Sequence, residues 1–224
     1  MPLLSRRSKL LPMQSLRIAL PKAHALLWLG GVLATPLLAA QSSPAPAVDI
    51  VFPNYDYGIR VHSFRQVDFQ NLKLVIFGGG GKPYQVPLSH GAYEKIESSG
   101  IGGTSVSLGK VRYIDGPHGA SRYALLDIGE TDWGGSSTNT GIIQILHLED
   151  DHLTIVQQIT YDLQAPGTGA KFNSKTHVLV MTGRSDDDSP HCCAQSVDIV
   201  TFMWTGTSFK MVKSHKRPVP SDSR

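Results

Sequence analysis

Cysteine is nearly absent from this chain. There are two in 224 residues, and they are adjacent, Cys192 and Cys193. That excludes the disulfide framework of small secreted scaffolds and any thioredoxin-type Cys-x-x-Cys. Charge is also sparse, at 17% of residues against 41% hydrophobic, so the chain can fill a packed core and is too weakly charged to stay disordered. No apolar run reaches the roughly 20 residues a helix needs to cross a bilayer; the segment Ala25–Leu38 comes closest. A nucleophile elbow is missing, because Gly103-Thr104-Ser105-Val106-Ser107 fails at its last position. The glycine runs 78–81 and 100–103 open no helix, which excludes a phosphate cradle. The nine histidines show no ligand-type spacing to one another.

Acidic residues are missing from the first forty positions, which hold five of the 21 basic ones. The remainder carries 16 basic against 18 acidic residues, a net of −2, which leaves no electrostatic case for nucleic-acid binding. Basic residues, then the short apolar run, then small residues form the pattern of a cleavable signal peptide. The expectation is a signal peptide over 1–40, a Pro-rich linker over 41–47, one domain over 48–214 and a flexible tail over 215–224. Cleavage fits after Ala40 or, with Ala45 three places back, after Ala47; Met13 is an alternative start. No cysteine lies near that region to carry a lipid anchor, so the expected product is free in the periplasm or secreted, with no membrane span. Lys210, Lys213, Lys216 and Arg217 read as a solvated end.

The dominant hydrophobic period inside the domain is two, which predicts strands. Turn residues follow every eight to twelve positions, and the pairs Ile142–Leu148 with Leu153–Tyr161 and Val197–Trp204 with Phe209–Lys213 read as hairpins. Leu153, Ile155, Ile159 and Tyr161 are expected on one face, with Gln157 the exception. Only Ala92–Glu97 reads as a helical turn. Ile142-Ile143-Gln144-Ile145-Leu146 is apolar on both faces, the mark of a strand central to a sheet covered on each side. The predicted class is all-β: an antiparallel sandwich, a barrel or a propeller fragment.

Three groups of residues are candidates for chemistry. Cys192 and Cys193 are vicinal disulfide candidates, although adjacent Cα atoms lie only about 3.8 Å apart, short of the roughly 4.4 Å or more of ordinary disulfides. Such a bridge would stiffen a turn or act as a reducible switch. His191, Cys192 and Cys193 are candidate ligands of a divalent metal, zinc needing four, with the others from Asp186, Asp187, Asp188 or a distant histidine; inert thiols and a solvated acidic loop are the plainer readings. A second acidic loop holds Asp127, Glu130 and Asp132 beside Trp133, with hard oxygens for calcium or an exposed aromatic for a sugar or partner. The spacing is not that of an EF-hand, and Trp133 can equally fold back over the core.

The stretch Asp188-Ser189-Pro190-His191-Cys192-Cys193-Ala194, followed by a strand ending in Phe202-Met203-Trp204-Thr205-Gly206-Thr207-Ser208-Phe209, resembles the ending of exported bacterial domains that include the mycobacterial LppP/LprE lipoproteins. The resemblance covers about residues 121–213. It implies an exported β domain and transfers no activity; the lipid-anchor cysteine is missing, and Ala194 stands where proline is expected. The leading expectation is a non-catalytic domain that binds a ligand or partner in the cell envelope. A metal- or thiol-dependent site at His191, Cys192 and Cys193 is one alternative, and a hydrolase with a dispersed site is another.

Overall fold

The structure, a computed structural model, describes residues 48–78, 81–115, 120–134, 137–185 and 193–219. The expected signal peptide, linker and chain end after 219 lie outside these residues, as do Asp186, Asp187, Asp188, His191 and Cys192.

Thirteen strands and two single 3-10 turns make up the described elements. β1 (Val48–Val51), β2 (Tyr55–Arg60), β5 (Ala92–Ile96), β6 (Gly103–Tyr113), β7 (Tyr123–Trp133), β8 (Thr138–Glu149) and β9 (His152–Asp162) form one antiparallel sheet in the order β1-β9-β8-β7-β6-β5. β2 continues the edge beside β1, pairing with the start of β9. β3 (Lys73–Phe77) and β4 (Pro83–Pro87) form a separate hairpin, and β10 (Gly169–Asn173), β11 (Val178–Arg184), β12 (Ser196–Trp204) and β13 (Phe209–Pro218) form a four-stranded meander. No sheet closes on itself among the described residues, so the architecture is the sandwich rather than the barrel.

The large sheet is covered on both faces. On one, Leu126, Ile128, Ile142, Leu146 and Ile155 pack against Leu74, Ile76 and Val86 of the hairpin and against Phe64 and Phe69 of the 3-10 turns. On the other, Leu125, Ile143, Ile145, Ile159 and Tyr161 pack against Leu179, Met181, Val200, Phe202 and Phe209 of the meander. This is why β8 is apolar on both sides: Ile142 and Ile143 face different cores. The predicted hairpins β8–β9 and β12–β13 both form. Between β8 and β9 the two-residue link Asp150-Asp151 has φ of 48° and 67°, the left-handed pair that a tight hairpin demands and that aspartate tolerates.

Three local expectations are corrected. Ala92–Glu97 is no helical turn; β5 occupies Ala92–Ile96 and pairs residue for residue with β6, Tyr93 packing against the core. Leu153 and Ile155 do not share a face with Ile159 and Tyr161. The β8–β9 register shifts between Ile145 and Leu146, one extra β9 residue is inserted, and the inward direction inverts. The last strand also continues past the expected domain end at Ser214. β13 runs to Pro218, and Val219 is buried with its N–H donating to the Gln195 carbonyl.

Gln157 and Gln158, beside that bulge, point to opposite cores and are both fully buried. The Gln158 amide accepts from the Phe77 N–H at 3.1 Å and donates to the Phe77 carbonyl at 2.7 Å. The Gln157 amide brackets Phe209 in the same way, at 2.7 and 2.8 Å. Each side chain thus imitates a strand neighbour and ties the central sheet to one covering layer. Gln144 adds a donation to the Val75 carbonyl at 2.6 Å.

Candidate functional site

Strand β4 of the covering hairpin meets β5, β6 and β7 around a hollow. An open cleft of about 500 Å³ remains there, lined by Tyr84 and Gln85 of β4, Tyr93 and Lys95 of β5, Thr104 of β6, and Glu130 and Asp132 of β7. The register dictates this gathering. Lys95 stands opposite Thr104, and Thr104 opposite Asp132; Tyr93 stands opposite Val106, and Val106 opposite Glu130. Directly opposed residues share a face, so two rows across three strands present hydroxyl, ammonium, carboxylate and aromatic groups to one hollow.

Both carboxylates are held by hydroxyl donors. The Tyr84 hydroxyl donates to Glu130 Oε1 at 2.5 Å, and the Thr104 hydroxyl donates to Asp132 Oδ1 at 2.6 Å. Burial raises the Glu130 carboxyl above its ordinary range, and the Tyr84 hydrogen bond opposes that shift. The Tyr84 phenol is raised as well, by burial first and then by the anion it touches. Tyr84 remains 38% exposed, enough to offer a ring edge to a ligand. A carboxylate whose second oxygen is uncommitted accepts hydrogen bonds from a ligand, Lys95 donates them, and the tyrosine rings supply apolar contact.

Of the residues singled out in the sequence, Glu130 and Asp132 belong to this cleft; Asp127 and Trp133 do not. The Asp127–Trp133 segment is the second half of strand β7 rather than a loop, because it pairs with β6 on one side and with β8 on the other as far as Asp132, its side chains alternating between the two faces of the sheet. On that alternation Asp127 faces the opposite side, with its carboxylate 3.7 Å from Arg112. Burial raises its pKa, and Arg112 counters the shift. Asp127, Glu130 and Asp132 therefore do not converge as a calcium site. Trp133 is half-buried and stands opposite Gly103. A Cβ on Gly103 would lie 2.6 Å from Trp133 Cζ2, so the indole rests on the glycine backbone instead of projecting as an exposed platform.

Cys193 is exposed, whereas its neighbour Cys192 and the proposed ligands His191, Asp186 and Asp188 fall outside the described residues. Among the described residues no three His, Cys, Asp or Glu side chains gather as a metal ion requires. A second hollow of about 380 Å³, at the β8–β9 turn, is lined by His62, Ser121, Arg122 and Asp151. Its lining includes no tyrosine, tryptophan or phenylalanine.

Tyr84, Tyr93, Lys95 and Thr104 escaped the sequence reading. The signal existed in part, since Tyr93 and Lys95 alternate as on a strand face, but Thr104 and Tyr84 lie 28 and 46 positions from the carboxylates they hold, and only pairing unites them. No helix among the described residues is long and apolar enough to cross a membrane. No family model matches the chain, and neither the curated proteins nor the solved structures contain a match to it.

Proposed function

We propose that this chain is an exported, non-catalytic β domain that binds a hydroxyl-rich ligand of the cell envelope, such as a glycan, in the cleft between β4 and β5–β7. The observation that carries the reading is the double pairing of Tyr84 with Glu130 and Thr104 with Asp132 in one open hollow beside Lys95 and Tyr93. Pre-set acceptors and an aromatic edge in a concave site suit a polyol better than an apolar ligand. The basic and apolar leader supports export, as does the resemblance of residues 121–213 to the LppP/LprE domains.

Calorimetric titration against a panel of envelope oligosaccharides tests the proposal. Glu130→Gln and Tyr84→Phe should each weaken binding roughly tenfold, the worth of one charge-assisted hydrogen bond. Trp133→Phe, on the opposite face, should leave affinity unchanged. Turnover of any oligosaccharide that Glu130→Gln abolishes would replace the binding reading with an enzymatic one.

A further inference from the structure

The outer face of the four-stranded sheet differs in charge from the rest of the molecule. Register places Val180, Thr201 and Lys213 in one cross-strand row, with Lys171 opposite Val180 at the far edge; Val178, Met203 and Lys210 form the next. Leu179, Met181, Val200 and Phe202 alternate with these and are buried against the central sheet, so the named rows point outward. Lys210, Lys213, His215 and Arg217 all project from this side of β13 and are exposed. Val178, Val180 and Ile199 between the edges are half-buried, and Met203 is 50% exposed. No acidic side chain stands on this face among the described residues, although the chain after residue 40 has a net charge of −2.

We infer that this face docks on an anionic lipid bilayer surface. The charge complementarity selects among occupants. A second copy would bring cations against cations. An extended peptide adding to the β13 edge would meet Lys210 and Lys213 but not Lys171, three strands away, about 14 Å. A flat anionic surface meets both edges together, with the apolar strip against the headgroup level between them. Lysines on β13 also keep that open edge from pairing with other strands.

Co-sedimentation of the full chain with vesicles tests the inference, using phosphatidylcholine alone and phosphatidylcholine with phosphatidylglycerol at low salt. The comparison is with Lys210→Gln/Lys213→Gln/Arg217→Gln in the same chain, so any contribution of the basic leader is common to both. Each charge is worth about fivefold near such a surface, so the triple variant should lose roughly a hundredfold in its affinity for the anionic vesicles. An unchanged unfolding midpoint shows that the variant folds, and Lys82→Gln on the hairpin loop should bind like the parent. Equal binding by parent and triple variant overturns the inference. So does parental binding to phosphatidylcholine alone as strong as to the anionic vesicles, or a preference for soluble polyglutamate over those vesicles.

Discussion

Single residues set limits on substitution that the hydrophobic pattern does not reveal. Gly141 stands between Gly129 and Tyr161 in one cross-strand row, and the Tyr161 ring lies across it so closely that any Cβ would overlap the ring. Gly141→Ala should therefore cost about 1–3 kcal/mol by overpacking, read from urea unfolding, although glycine to alanine ordinarily favours the folded state. His147 stacks on Tyr123 with ring centroids 4.3 Å apart, and burial holds its imidazole below the ordinary 6.5. Just below pH 6.5 the unfolded chain binds a proton there that the folded chain refuses, so stability falls as pH drops through 6.5 and levels off beneath the folded value; above 6.5 both states are neutral and the effect vanishes. The unfolding midpoint should drop between about pH 7.5 and about pH 5.5, and His147→Gln should flatten that drop. At this scale the sequence was half legible. It marked Glu130 and Asp132 by composition, and it grouped Asp127 and Trp133 with them because proximity along a chain does not say which face a strand residue takes.

Elements were more legible, because alternation and turn chemistry are local. Both predicted hairpins form, and the double-sided apolar run at Ile142–Leu146 located the sheet centre before any pairing was known. What local reading lacked was the bulge in β9: one inserted residue leaves the sequence period intact while exchanging the cores that Leu153 and Ile159 enter. The bulge has a structural consequence in the two glutamines beside it. Removing the Gln158 amide strands the buried N–H and carbonyl of Phe77, and removing Gln157 does the same to Phe209. Gln158→Leu and Gln157→Leu should each cost about 2–5 kcal/mol in denaturant unfolding, more than an ordinary conservative core substitution, since leaving a buried backbone group unsatisfied costs about 1–3 kcal/mol. The glutamines are oriented by partners 81 and 52 positions distant, which is why the sequence presents them only as exceptions to a pattern.

At the scale of the molecule, three layers share one central sheet, and the outer layers are held unequally. The meander contributes four mutually paired strands and Phe202 and Phe209 at full burial; the opposite cover is a two-stranded hairpin whose pairing stops at β3 and β4. An isolated hairpin is marginal in water, so β3–β4 depends on the Gln158 bracket, the Gln144 hydrogen bond and its apolar face for its position. The proposed binding cleft lies along this less supported cover, with Tyr84 as its contribution to the site. Local opening should therefore be graded across the layers. Native-state hydrogen exchange should be slowest for the β7, β8 and β9 amides, paired on both sides and covered on both faces. It should be faster for β4, and faster again for those β13 amides beyond Phe209 that point away from β12. Gln158→Leu should speed exchange in β3 and β4 selectively, leaving β11 and β12 unchanged, because its bracket holds one cover only. A uniform acceleration across all strands would mean that the three layers open as a single unit, and that the hairpin, with the cleft wall it carries, has no independent motion through which a ligand could be admitted.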